Sequence, residues 1–445
     1  MTSNTRDMTP LHRLDAVLGP EDAAYEAACQ AWNLAVRQRP AAVGVPETVD
    51  DVVRIVRTAS DLGLRVAPQS TGHGAGALGD VVFDDVVLLR MNRLTARILG
   101  GTHWREVLAA AAPHGLTALH GSAGDVAVVG YVLGGGLSFY GRSHGLASST
   151  IRAAELVTPS GDRIRVSTDE NADLFWALRG GGGSFGVVVA LELDLLPIPD
   201  VVAGMMLWDL DRAPEVLRTW ARWTRTAPES ATTSFRLMRF PPLPDLPPFL
   251  SGRALVVVDG TVLEDDDRAA EILEPLRALS PEMDTFTRIP AEKVIDMHMD
   301  PPEPVPAVSD HTMLDALPED ALAALLAVAG PGADTPLLFV ELRHLGGALA
   351  RPHDGAAARL NGEYALLALG MVPVPEMLPV CEGAAKQVVA VMGPWSTGRL
   401  FANFCDRPAD TEAMFEPDDW ERLNRIRDQR DAERRWVAAH AVGGR

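Results

Sequence analysis

In PETVDDVVRIVRTASDLGL the apolar positions recur with the period of a helix, with Val49, Val52, Val53 and Ile55 beginning one face. Thr48 stands at the N-cap, Asp51 follows three residues later as its reciprocal partner, and Gly63 closes the element. Residues 64–67 then read as a short strand running directly into PQSTGHGAG. VVFDDVVLL (81–89) predicts further strand, and REVLAAAAPHGL (105–116) a second helix. ELVTPSGDRIRVS (155–167) reads as two strands about a Ser-Gly turn.

Past GGGGSFGVVVALELDLLPI (180–198) the pattern changes. Proline clusters such as PPLPDLPPF and PPEPVP separate strand-like and helical segments. This places a boundary near Ile198 and assigns about the next two hundred residues to a second α+β unit. WERLNRIRDQRDAERRWV, near the end, predicts a charged amphipathic helix. No internal repeat is evident.

At 445 residues the chain exceeds the size at which one core stops growing, so two domains or subdomains are expected. Forty Lys and Arg against 60 Asp and Glu give a formal charge of −20, which repels phosphate backbones and anionic lipid. Nucleic acid and membrane are therefore poor partners. The three cysteines, Cys29, Cys381 and Cys405, form no CxxC pair, which argues against zinc ribbons, iron–sulfur centres and a disulfide framework. The first residues lack the apolar stretch of a secretory signal, and no apolar run reaches spanning length, so a cytoplasmic location is expected.

Candidate chemistry lies in the glycines. PQSTGHGAG (68–76) sets His73 among three glycines, and GYVLGGGLSFYGRSHGL (130–146) follows in the same domain. Without a Cβ, such residues either form tight turns or bring backbone amides up to a pyrophosphate. Two such regions, with 180–183 as a third, favour an extended nucleotide cofactor. GVVVALELD lacks the G-x-G-x-x-G turn, and no Walker loop occurs. His73 has no partner at metal-ligand spacing, so no metal is expected. Ser70 and Ser138 lie outside any G-x-S-x-G elbow.

Taken in order, these stretches, with ELVTPSGD, DLFWALRGGGGSFGVV and the terminal FANFCD followed by a charged helix, carry a family resemblance. From about residue 40 the chain resembles flavoproteins of the vanillyl-alcohol-oxidase/p-cresol-methylhydroxylase superfamily, in the berberine-bridge-enzyme-like branch. The resemblance implies an α+β fold. After a lead at 1–35, a two-part FAD-binding domain of the p-cresol-methylhydroxylase type would span 36–198. A substrate-binding domain at 199–398 would carry an antiparallel sheet backed by helices, and 399–445 would return to the FAD domain. It further implies FAD held by Pro68, Ser70, Thr71, Gly72, His73, Gly74, Ala75 and Gly76. The second stretch would add Gly130, Leu133, Gly134, Gly135, Gly136, Ser138, Gly141, Arg142, Gly145 and Leu146. Gly186, Val188 and Asn403 complete the set.

Carried onto His73, the resemblance implies a ring nitrogen bonded to the 8α-methyl of FAD; a turn histidine, or non-covalent FAD beside it, are the alternatives. The cysteine that bicovalent members use falls at Ala123, leaving His73 as the sole tether. MNRLTARILGGTHW is shorter than its counterpart, which leaves the strand count around 91–104 open.

ELRHLGGALA (341–350) and EYALLALGMVP (363–373) resemble two strands of the substrate sheet. Alternation sends Glu341, Arg343 and Leu345 to one face, and Leu342 and His344 to the other. Tyr364 is either a base or hydrogen-bond donor, or a packing residue with a paired hydroxyl. Glu341, Arg343 and His344 either orient substrate or form ion pairs. The family's Tyr-x-Asn-Tyr-x-Asp reads here as Phe401, Asn403, Phe404 and Asp406. Neither phenylalanine transfers a proton, while Asn403 remains able to anchor the flavin or the returning strand. The expectation is an FAD-dependent oxidase acting on an apolar amine, alcohol or polycyclic natural product, with O2 as acceptor. A dehydrogenase with another acceptor and a flavin-binding protein without turnover are the alternatives. A homodimer is the expected assembly.

Overall fold

The computed structural model describes residues 7–46, 48–78, 81–90, 98–244, 246–300 and 303–444. Helix Val49–Asp61 forms where the apolar period predicts it. The Thr48 hydroxyl accepts from the Asp51 amide at 3.1 Å, and the Asp51 carboxylate accepts from the Thr48 amide at 2.9 Å. Val52, Ile55, Val56 and Ala59 are buried against a small sheet. Its order is Val17–Leu18, Ala42–Gly44, Val86–Arg90, Arg65–Gln69, the last three parallel. Gly63, at φ 67°, turns the chain from helix to strand.

A second, antiparallel sheet runs Ile98–Leu99, Val187–Leu193, Ile151–Val157, Arg163–Ser167. The Ser-Gly turn between the last two in sequence has Gly161 at φ 78°.

The third sheet is antiparallel and has eight strands. Seven run in the order Met283–Asp284, Asp200–Asp209, Ala254–Val262, Ala231–Arg239, Phe339–His344, Tyr364–Met371, Ala307–Leu314, and Thr287–Pro290 also pairs with Asp200–Asp209. Helices Ala213–Thr224, Asp266–Arg277, Glu319–Ala329 and Met377–Val391 cover one face, burying Trp208, Trp220, Phe235, Leu342 and Leu366 between the layers. The other face turns toward the two smaller sheets, where the Thr261 hydroxyl donates to the Phe139 carbonyl at 2.7 Å. The class is α+β.

Three elements differ from the sequence pattern. The strand expected over 81–89 is confined to Val86–Arg90, because the Arg65 guanidinium holds the Asp85 carboxylate at 2.6 and 2.9 Å and fixes a turn before it. The helix expected over 105–116 is Trp104–Ala111, tightening into a single 3-10 turn at Pro113 and stopping at Gly115. The terminal helix is Pro417–Arg430 and does not reach Val437. Asp431 interrupts it by accepting from the amides of Arg435 (2.7 Å) and Trp436 (3.2 Å), and the chain continues extended alongside Val66. The strand question around 91–104 falls partly on 91–97, which lie outside the described residues; Ile98–Leu99 pairs with Val187–Leu193. Among the described residues no helix is long and apolar enough to cross a membrane.

Candidate cofactor cleft

A cleft of about 430 Å3 opens where the two small sheets meet the large one. The loop after Arg65–Gln69 supplies one wall, through Pro68, Ser70, Thr71, Gly72, His73, Gly74 and Ala75. Gly130, Leu133 and Gly134, on and after helix Val128–Leu133, supply another, with Gly186 and Val188 beside them. Asn403 and Arg343 close it from the C-terminal segment and the large sheet.

A Cβ built on Gly74 or Gly130 meets no protein atom within 4 Å, so both backbones face open space. Tyr131 also lines the cleft, and its hydroxyl is buried without a protein hydrogen-bond partner. Buried donors are almost always paired, so an unpaired one beside such space marks where a bound molecule supplies an acceptor. Glycine-bared backbone and this donor fit a dinucleotide.

The His73 ring stacks on Trp32 with centroids 4.2 Å apart and planes 17° from parallel. Nδ1 lies 2.7 Å from the Thr71 hydroxyl and Nε2 lies 3.5 Å from the Asp125 carboxylate. Burial lowers its pKa to about 4 despite that carboxylate, so the ring is neutral near pH 7.

The remaining glycine-motif residues are placed elsewhere. The Gly76 amide donates to Asp406 at 2.8 Å, and burial raises that carboxyl to about 6. Gly135 and Gly136 make a turn at φ 110° and 77°, in which the Gly136 amide donates to Asn403. Ser138 is buried and accepts from the Tyr140 amide, and Gly141 packs on Leu349. Arg142 donates to the carbonyls of Leu345 (2.7 Å), Ala231 (2.7 Å) and Pro228 (3.1 Å). Gly145 closes helix Gly141–His144, and Leu146 packs with Met313 and Leu345. The first half of this motif therefore faces the cleft, whereas its second half fastens the large sheet to the smaller ones.

Among the expected catalytic residues, Arg343 alone lines the cleft. Its guanidinium sits over the rings of Phe404 (5.1 Å) and Phe139 (5.7 Å), and its Nε donates to buried Glu341 at 3.0 Å. Beneath them, the Ser234 hydroxyl and the Arg236 guanidinium both donate to buried Asp259. Burial pushes the Asp259 carboxyl up, but Arg236 and His298 prevail and hold it well below the usual range. Tyr364 and His344 lie on the opposite, helix-covered face. Tyr364 is buried against Trp220, and its hydroxyl is 2.6 Å from that of Thr224. The candidacy of Tyr364 and His344 for the chemistry is thus corrected by strand alternation, which sends both side chains into the core.

Sequence reasoning passed over four contributors. Trp32 lies in the lead and carries no local signal. Asp125 and Tyr131 flank or interrupt the second glycine stretch and were legible there as polar insertions. Residues 437–440 reach the cleft only because Asp431 breaks the last helix.

A family model described as an FAD binding domain matches residues 40–167. The Physcomitrella patens BBE-like 1 structure superposes with a TM-score of 0.84 over 98% of both chains, at 19% identity. Residues 40–167 thus match an FAD binding domain, and the whole chain shares the fold of berberine-bridge-enzyme-like proteins. The chain is 36% identical over 212 residues to (R)-6-hydroxynicotine oxidase of Paenarthrobacter nicotinovorans, covering 45% of the chain and 46% of that relative. It thus spans a little under half the length of that relative. Glucooligosaccharide oxidase from Acremonium strictum, described with a 6-S-cysteinyl, 8α-N1-histidyl FAD, superposes at a TM-score of 0.82 with 20% identity over 98% of both chains.

Proposed function

We propose that the protein is an FAD-dependent oxidase that removes hydride from an apolar amine, alcohol or polycyclic natural product, with O2 as acceptor. The observation that carries this reading is the cleft whose glycine-bared walls meet at neutral His73 and face Arg343 across it. Bound FAD would supply the hydride acceptor. The residues of loop 68–75, with Gly130, Leu133, Gly134, Gly186, Val188 and Asn403, would hold it. Residues 36–198 then act as the FAD-binding domain, 199–398 as the substrate-binding domain and 399–445 as the returning segment.

His73 is the only tether in this reading. Ala123 offers no thiol, and burial raises the Cys405 thiol, also at the cleft, to about 11, where it stays protonated. On the substrate side Arg343, fixed by Glu341, offers donors to a substrate oxygen or ring, while Phe404, Met414 and Phe415 supply apolar wall. The cysteines are all free and buried, in keeping with a reducing cytoplasm.

The test is spectroscopic. Purified protein should be yellow, retain its flavin in the pellet after acid precipitation, and bleach anaerobically when an accepted amine or alcohol is added. Air should restore the colour with one peroxide per substrate. Bleaching reversed only by an artificial acceptor would make it a dehydrogenase, and colourless folded protein that takes up no FAD would end the reading.

A further inference from the structure

The two nitrogens of His73 have different neighbours: Nδ1 faces the Thr71 hydroxyl at 2.7 Å and Nε2 faces the Asp125 carboxylate at 3.5 Å. Asp125 lies between Ala123 and Val126, which line the cleft, and itself borders a second cavity of about 600 Å3. A carboxylate beside Nε2 selects the tautomer that carries its proton there, because the other sets a lone pair against a negative charge. A hydroxyl donates or accepts, so Thr71 accommodates this choice by donating to Nδ1. Trp32, stacked on the ring, fixes its plane.

We propose that Asp125 is the positioning residue for covalent attachment of FAD to His73: it holds the proton on Nε2, so that the lone pair of Nδ1 forms the bond once the Thr71 hydroxyl turns away from it, and takes up the Nε2 proton as the bond forms. The inference rests on His73 being the flavin tether. The new bond joins Nδ1 to the 8α carbon in place of one methyl C–H. One hydrogen leaves the methyl and one leaves Nε2; these two protons and two electrons reduce one O2 to hydrogen peroxide. Without Asp125 the proton would remain on an imidazolium, which burial of the ring disfavours.

The full chain is purified as wild type, Asp125→Asn, Asp125→Ala and Asp125→Glu. Total bound FAD is compared with flavin fluorescence remaining in the denatured protein band. The Asn and Ala proteins should bind FAD yet incorporate it covalently about tenfold more slowly or worse. Glu should recover part of the rate, and formate added to the Ala protein should accelerate incorporation where chloride does not. Wild-type incorporation in both Asn and Ala overturns the proposal and leaves the tether standing. Loss of FAD binding in both, with no response to formate, assigns Asp125 a merely structural role and also overturns it. Complete release of FAD from denatured wild type overturns the tether itself, and the proposal with it.

Discussion

The Tyr364 hydroxyl lies 2.6 Å from the Thr224 hydroxyl, on the side of the large sheet that its helices cover. Burial raises the phenol pKa and Thr224 offsets that only in part, so the group stays protonated. Tyr364→Phe should cost about 1 kcal/mol in urea unfolding. Flavin reduction by any accepted substrate should keep its rate. A tenfold slower reduction (about 1.4 kcal/mol of barrier) would return Tyr364 to the chemistry.

Gly130 lies inside helix Val128–Leu133, and its missing side chain faces open cleft. Gly130→Ala should stabilise the FAD-free protein by about 0.5–1 kcal/mol through helix propensity. The same methyl should weaken FAD binding. Thermal melts with and without added FAD separate the effects: the apo midpoint rises while the FAD-induced shift shrinks.

His120 and His311 are buried and held neutral, with burial lowering them to about 4 and about 3. His311 Nε2 accepts from the Phe401 amide at 3.0 Å, which a protonated ring cannot do. In the unfolded chain both titrate near about 6.5. Unfolding therefore takes up protons below that pH. Their contribution is intact above about 6.5 and is lost as pH falls toward the folded values, by up to about 1.4 kcal/mol per pH unit for each ring. Urea midpoints at pH 7 and pH 5 should show it, and a flat profile would contradict both placements.

Arg142 donates to four carbonyls of the large-sheet unit from a helix of the smaller one. Arg142→Leu leaves those acceptors unpaired at the contact and should cost about 3 kcal/mol or more. Limited proteolysis should then cut between 198 and 200 sooner than in wild type. Unchanged stability would mean that other donors replace the guanidinium.

Legibility divided along local and distant contacts. Thr48 and Asp51 announced their capping box because both partners lie within one turn. Alternation in ELRHL placed Arg343 and His344 on opposite faces, yet it could not say which face met the cleft, since that depends on which strands flank it. In the second glycine stretch, Gly134 and Gly141 look alike in sequence. Packing separates them: Gly134 meets Asn403 at the cleft, whereas Gly141 meets Leu349. Trp32 and residues 437–440 had no local signal, because each acts on partners far along the chain.

The extended stretch after Asp431 also governs when the cleft can exist. Val66 donates to the Arg435 carbonyl and accepts from the Val437 amide, both at 2.8 Å, while Arg435 reaches the Ser60 carbonyl 375 positions back. On the ribosome, the strand Arg65–Gln69 and its histidine loop emerge several hundred residues before this partner. Until then that strand is an open edge available to any other nascent chain, and cofactor loading waits until residues 435–437 have been made.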